Sequence, residues 1–275
     1  MKKGFQLLLV TSLAMGGCVN KEGSMEKEVS VANKGGAVPE INYSVVAVLP
    51  HDTTSFTEGL LFHEKHLFES TGATDNLPQT RSLFGIVDTK TGKIDTKAEL
   101  DRKIYFGEGI VFFHDKVYQL TYKNQLGFIY DAKTFKKLGT FSFRNREGWG
   151  FTTDGKSLVM SDGTNKLTYL DPDHLTVIKT LEVTNNGYAE DNLNELEYIN
   201  GFIYANIWTK NYIVKINPAD GKIVGTLDLS SLYYQSRKKY QGSLEMNGIA
   251  YDADSDKVYV TGKMWPEMYQ IKFSH

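Results

Sequence analysis

The sequence holds a single cysteine, Cys18, among 275 residues. Without a second thiol the chain folds with no internal disulfide. It also lacks an excess of either charge, since 31 basic side chains face 33 acidic ones and leave a formal charge of −2. That balance gives no electrostatic footprint for nucleic acid. Several enzyme signatures are missing as well. His63-Glu-Lys-His66 is one residue short of the zinc-protease spacing and reads as a hairpin turn, and there is no Gly-x-Ser-x-Gly elbow, phosphate loop or dinucleotide fingerprint. The chemistry left open is an acid/base site that needs neither metal nor cofactor.

Long apolar runs are scarce. Phe5 to Met15 is too short to span a bilayer, but with Lys2 and Lys3 before it and small residues after it the stretch has the build of an export signal. The run Leu13-Ala-Met-Gly-Gly-Cys18 resembles a bacterial lipoprotein signal, although Met15 stands where leucine is usual. The resemblance implies lipidation of Cys18 and a protein held at the cell envelope, on the periplasmic or outer surface; a plain secretory signal is the alternative. Residues 19–40 are polar, charged and glycine-containing, a composition that cannot bury enough apolar surface to order itself, and they are expected to form a flexible linker. The folded domain is expected over 41–275.

Aromatic residues make up 12% of the chain, and beyond residue 41 Val, Ile, Tyr and Thr recur with frequent Gly, which is β-protein composition. Five segments align: Phe56-Thr-Glu-Gly-Leu-Leu-Phe62, Phe106-Gly-Glu-Gly-Ile-Val-Phe112, Glu147-Gly-Trp-Gly-Phe-Thr-Thr153, Asn192-Leu-Asn-Glu-Leu-Glu-Tyr198 and Glu245-Met-Asn-Gly-Ile-Ala-Tyr251. Their third positions are Glu58, Glu108, Trp149, Asn194 and Asn247, at intervals of 50, 41, 45 and 53 residues. A mean of about 47 suits a four-stranded propeller blade. Each segment is followed by a tight polar turn, a second strand, and two further strands. The fifth repeat runs out after Met268 to Phe273, and Asn42 to Leu49 has no place in the first. The expected fold is therefore all-β, a five-bladed β-propeller whose last blade is closed by the N-terminal strand, which covers both free edges.

In a propeller the innermost strand of every blade starts beside the axis and the second strand returns to the same end. The five third-position residues should thus ring one mouth of the channel, joined by Tyr122, Trp208 and Lys263 from the ends of second strands. Taken singly, each has a structural reading, as a partner for strand-end backbone groups or as packing. Taken together, Glu58, Glu108, Trp149, Asn194 and Asn247 differ at equivalent positions where the repeat itself requires no difference, and they would form a small pocket with a few directed polar groups.

Six ordered motifs, Phe56-Thr-Glu-Gly-Leu60, Phe106-Gly-Glu-Gly109, Gly148-Trp-Gly150, Asn194-Glu-Leu-Glu-Tyr198, Ala205-Asn-Ile-Trp208 and Thr261-Gly-Lys-Met-Trp-Pro266, resemble the plant and bacterial glutaminyl cyclases, the glutamine cyclotransferases, over nearly the whole domain. The resemblance implies a five-bladed propeller that turns an N-terminal glutamine, on a peptide or free, into pyroglutamate and ammonia. It implies that Glu108 is the catalytic acid and that Phe106, Trp149, Asn194, Trp208 and Lys263 belong to its pocket; joined to the residues the repeat brings to the same mouth, the expected site has Glu108, Lys263 and Asn194 in catalysis and Phe56, Glu58, Phe106, Tyr122, Trp149, Trp208 and Asn247 on the substrate. Glu58 stands where the plant pattern has glutamine, and Tyr122 where it has tryptophan, so substrate preference and pH optimum stay open. A monomer is expected. Two other classes remain: a lipid-anchored binding module that holds a peptide terminus at the same mouth, and a lyase or hydrolase acting on another small substrate.

Overall fold

The computed structural model describes residues 36–275. Cys18, the leader and most of the linker lie outside them. Strand β1 (Tyr43–Pro50) comes first and belongs to the last blade. Blade 1 follows as β2 (Thr57–His63), β3 (His66–Thr71), β4 (Leu83–Val87) and β5 (Ile94–Glu99). Blade 2 is β6 (Gly107–Phe113), β7 (Lys116–Thr121), β8 (Leu126–Asp131) and β9 (Lys137–Ser142). Blade 3 is β10 (Phe151–Thr153), β11 (Leu158–Met160), β12 (Lys166–Leu170) and β13 (Val177–Glu182), and a two-stranded hairpin, β14 (Thr184–Asn185) and β15 (Tyr188–Ala189), leads onward from it. Blade 4 is β16 (Leu193–Ile199), β17 (Phe202–Ile207), β18 (Tyr212–Ile216) and β19 (Ile223–Asp228). After the helix α1 (Ser230–Lys239), blade 5 adds β20 (Met246–Asp252), β21 (Lys257–Gly262) and β22 (Glu267–Phe273).

Every blade is an antiparallel sheet in sequence order except the fifth, whose order is β1-β22-β21-β20. Its outer strand is the N-terminal one, paired from Tyr43 with Phe273 to Pro50 with Glu267. The closure expected from the missing fourth strand is what the fold adopts, and it leaves no blade with an unpaired end of chain. His51, just past β1, reinforces the joint. Its Nδ1 faces the Trp265 carbonyl at 2.7 Å and its Nε2 faces Glu69 of blade 1 at 3.1 Å. Burial works against a charge on this ring, but the Glu69 carboxylate, the Trp265 carbonyl and Asp52 together outweigh it and raise the pKa above the ordinary histidine value.

The sequence pattern sets which strands lie inside. The inner strands β2, β6, β16 and β20 are buried almost end to end, whereas the outer strands β9 and β13 are mostly exposed and β5 is partly exposed throughout. Apolar residues accordingly gather in five wedges, one at each blade interface, instead of one central core. The inner strands also approach one another across the axis more closely than a side chain allows. A Cβ at Gly109 would lie 2.6 Å from the Trp149 carbonyl oxygen and the Phe151 nitrogen, where Gly109 N–H instead donates to Trp149 O at 2.8 Å. The glycine after the third position is thus a packing requirement.

Two features depart from the expected plan. Pro39 and Glu40, placed by composition in the linker, run beside β19: Thr226 N–H donates to Pro39 O at 3.0 Å and Ile41 N–H to Thr226 O at 2.7 Å. The outer edge of blade 4 offers unpaired backbone groups, and this stretch satisfies them despite its polar composition. The helix α1 is also absent from a plan of strands alone. It buries only Leu232 and Ser236, one turn apart, and covers the wedge between blades 4 and 5.

Candidate active site

At the mouth where the inner strands begin, the blades enclose a cavity of about 260 Å³ lined by Phe56, Glu58, Phe106, Glu108, Tyr122, Trp149, Asn194, Trp208, Glu245 and Lys263. Nine of these come from the residues singled out in the sequence, and the tenth, Glu245, does not. The backbone explains why polar groups at repeat position three reach the opening. In four blades the pairing of inner and second strands slips there: between Thr57 and Gly59, Gly107 and Ile110, Leu193 and Leu196, and Met246 and Ile249. Such bulges re-aim the side chains they carry, here Glu58, Glu108, Asn194 and Asn247. In blade 3 the strand starts only at Phe151, two residues after Trp149, so Trp149 precedes it on a loop.

The aromatic lining forms an arc from ring to ring. Phe56 meets Phe106 edge-on at 5.9 Å, Phe106 lies 5.8 Å from Tyr122, Tyr122 lies 6.3 Å from Trp149, and Trp149 meets Trp208 edge-on at 5.7 Å. Trp149 is fixed by an indole N–H bond to Glu147 at 3.0 Å. Trp208, at the end of the arc, is 40% exposed. Gly72, just past β3, stands close under the arc, where any Cβ would meet the Phe106 ring at 2.1 Å.

The polar floor holds two acids and one base, each at most 5% exposed. Lys263 Nζ donates to Glu58 Oε1 at 2.8 Å and sits 4.6 Å above the Phe56 ring. Burial pushes the Glu58 carboxyl up to about 7, against the pull of Lys263. Glu108 is raised well above the ordinary glutamate value by burial and then by the Glu58 charge, with Lys263 opposing. Burial alone would discharge Lys263, yet the flanking Glu58 and Glu108 hold it ionised and raise its pKa. Among the described residues the Glu108 carboxyl has no hydrogen-bond partner, although its backbone is anchored: Ser70 Oγ donates to Glu108 O, Gln119 Nε2 donates to Ser70 Oγ at 3.1 Å, and Gly107 N–H donates to Ser82 Oγ at 2.7 Å. The result is a fixed acid with a free, protonatable head.

Asn194 is 3% exposed and its Oδ1 has no partner among the described residues. In a cavity wall this is an acceptor waiting for a substrate N–H. Asn247, expected to bind substrate, does not line the cavity. It is fully buried behind Glu58, and its Nδ2 donates to Thr57 O at 3.0 Å and to Glu58 Oε2 at 3.2 Å. The bulge at Met246–Ile249 turns it against blade 1, where it orients Glu58 from behind the cavity lining. Glu245 and Glu147 stand at the first position of their repeats, where blades 1 and 2 carry Phe56 and Phe106, and were missed because in blades 3 and 5 only the third position was weighed. Among the described residues no group of three or more His, Cys, Asp or Glu side chains converges as a metal site would.

Comparison with known proteins supports the same reading from outside the geometry. A family model described as glutamine cyclotransferase matches residues 9–273. The chain is 40% identical over 230 residues to a glutaminyl-peptide cyclotransferase of Arabidopsis thaliana, covering 83% of this chain and 70% of that protein. It also superposes on the crystal structure of Myxococcus xanthus glutaminyl cyclase with a TM-score of 0.78, at 30% identity and over 87% of this chain and 99% of the other.

Proposed function

The chain belongs to the glutamine cyclotransferase family, and we propose that its channel mouth carries out the family's reaction with Glu108 as the group that moves the protons. The protein is a glutaminyl-peptide cyclotransferase, closing an N-terminal glutamine to pyroglutamate and releasing ammonia. The observation that carries the role of Glu108 is a single carboxyl, buried, unpartnered and raised in pKa, facing a cavity the size of one residue.

A peptide α-amine has a pKa of roughly 7.7–8.0. Burial raises the Glu108 carboxyl above the ordinary glutamate value, so it takes a proton from that amine less uphill than an exposed glutamate would, which favours general acid–base catalysis. Glu108 takes a proton from the α-ammonium, and the freed amine attacks the side-chain amide carbon. The tetrahedral intermediate then carries an oxyanion, a protonated ring nitrogen and the departing amide nitrogen. Glu108 delivers its proton to the departing nitrogen and recovers one from the ring nitrogen, the C–N bond breaks, and ammonia leaves with the proton that Glu108 finally gives up. Lys263, with only one of its three donors committed to Glu58, stabilises the oxyanion. A donor so placed is worth roughly 3–4 kcal/mol. The unpartnered Asn194 Oδ1 accepts an N–H of the amine and so orients its lone pair. The aromatic arc excludes water and holds the chain in the cyclising conformer, where proximity lowers the barrier. The test is incubation of the protein with a glutamine-initiated peptide, following ammonia and loss of one ammonia from the peptide mass. Turnover no faster than the spontaneous reaction would overturn the reading.

Free glutamine is the smaller substrate the same cavity would admit, and the enzyme acts as a monomer, which size-exclusion chromatography with light scattering checks. The leader favours export and attachment of the protein to the bacterial envelope through a lipid on Cys18. Fatty-acid labelling that disappears in Cys18→Ser supports this; a secreted, unlabelled protein overturns it.

A further inference from the structure

We infer that Glu245 gives the enzyme a preference for substrates with a basic residue directly after the N-terminal glutamine. The inference rests on the cyclase reading of the mouth and extends it to the second residue of the peptide.

The wall of the mouth is aromatic from blade 1 round to blade 4, ending at the half-exposed Trp208. The ring of aromatics is broken only at blade 5, where Lys263 and Glu245 stand. Lys263 is buried and committed to Glu58 at 2.8 Å. Glu245 is different. Its backbone is pinned, since Lys263 N–H donates to Glu245 O at 2.9 Å, but among the described residues its carboxylate enters no hydrogen bond or salt bridge, and it is partly exposed. It is a fixed, solvent-reached negative charge in the one gap of an apolar rim.

Substrate chemistry decides what meets it. Both reacting groups of the glutamine, the α-amine and the side-chain amide, must reach Glu108, which is only 4% exposed at the floor. The α-carbonyl and the rest of the peptide therefore point outward. Glu108 and Glu245 line the same cavity of about 260 Å³, so a glutamine held with its reacting groups at Glu108 brings the second residue of the peptide to the side where Glu245 stands. Two further charges flank lining residues of the mouth. Glu147 adds a carboxylate beside Trp149, and Lys123, the facing cation, is folded over the Tyr122 ring at 4.4 Å on blade 2. A basic second side chain is drawn toward Glu245 and kept from Lys123, whereas an acidic one meets two carboxylates for one engaged lysine.

The test compares kcat/KM for Gln-Lys-Ala, Gln-Ala-Ala and Gln-Glu-Ala at low ionic strength in the wild type, Glu245→Gln and Glu245→Lys. Partly exposed charge pairs of this kind change such ratios about two- to fivefold. The wild type should favour Lys over Ala and Ala over Glu by that factor, mainly through KM, and added salt should compress the series. The Lys-to-Ala ratio should fall to near one in Glu245→Gln, whatever that change does to the rate with Gln-Ala-Ala, and should invert in Glu245→Lys. A wild type indifferent to the second residue, or a preference that survives in Glu245→Gln, overturns the assignment and leaves the cyclase reading intact. Failure of all three peptides to turn over would overturn both.

Discussion

Four acids on the inner strands of this propeller, three of them buried and Glu197 partly so, meet different fates. Glu58 and Glu108 at the mouth, and Glu195 and Glu197 of β16, are all pushed upward in pKa by burial. Glu195 occupies the place that the other four blades give to Gly59, Gly109, Gly150 and Gly248, and its side chain crosses the channel. One carboxyl oxygen accepts the Leu60 N–H of blade 1 at 3.2 Å and the other the Ile249 N–H of blade 5 at 2.9 Å. Glu197 accepts the Tyr251 N–H at 2.8 Å. These acids satisfy backbone donors on the channel edges of neighbouring blades, which no sheet partner reaches. Glu108 satisfies none and opens on a cavity. A perturbed pKa alone therefore does not mark the catalytic group in this molecule; an acid with its head left free does.

The sharpest way to break that comparison is to make the same isosteric change on both sides. Glu108→Gln removes the proton carrier and should lower kcat/KM by roughly 10²–10⁴-fold with the melting temperature little changed. Glu195→Gln should keep activity within a fewfold. If the two variants lose activity alike, the distinction between free and satisfied acids fails. Glu195→Ala tests the other half: it leaves the Leu60 and Ile249 donors without an acceptor, at a cost of roughly 1–3 kcal/mol per group, to be read as a lowered denaturant midpoint with near-normal kcat/KM in the folded protein.

The repeat made most of this site legible in the sequence. Blade periodicity alone puts Glu58, Glu108, Trp149 and Asn194 at one mouth, and the position of the second-strand ends adds Tyr122, Trp208 and Lys263. Beyond the repeat the reading stops. Asn247 is equivalent by alignment but turned inward by its bulge, a tertiary choice that alignment does not record. Glu195 looks like a broken motif until its channel-crossing bonds are seen, because its partners Leu60 and Ile249 lie on other blades. The helix α1 shows only Leu232 and Ser236 as a buried face, too little apolar periodicity to announce a helix.

Within the mouth, Glu58 is the lever on pH. Its charge raises the Glu108 carboxyl, and its bond to Lys263 offsets part of the downward pull that Lys263 exerts on that carboxyl. Glu58→Gln removes the first influence and releases the second, so both changes move Glu108 downward. The acid limb of the pH profile of kcat/KM reports ionisation of the free enzyme, and it should shift to lower pH in this variant. An unmoved or rising limb would show that Glu108 does not set it.

The smallest effect is expected at Glu197, where only stability is at stake. Its carboxyl is raised to about 8 in the folded protein by burial, against the bonds from Tyr251, Tyr198 and Thr152, while an unfolded glutamate titrates near the ordinary 4.5. Between those values the native state binds more protons than the unfolded one, so the contribution to stability is fully present below the unfolded value and is lost as pH rises through the folded one. Wild-type melting temperature should therefore decline from about pH 5 to pH 8 in part through this group. Glu197→Gln removes the titration and keeps an oxygen for the Tyr251 N–H, so the decline should be shallower while activity at the opposite mouth is unaffected. A slope identical to wild type would mean that Glu197 ionises in the fold as freely as in the unfolded chain. The acids of β16 would then be braced by their backbone bonds as carboxylates, and the contrast with Glu108 would lie in access alone.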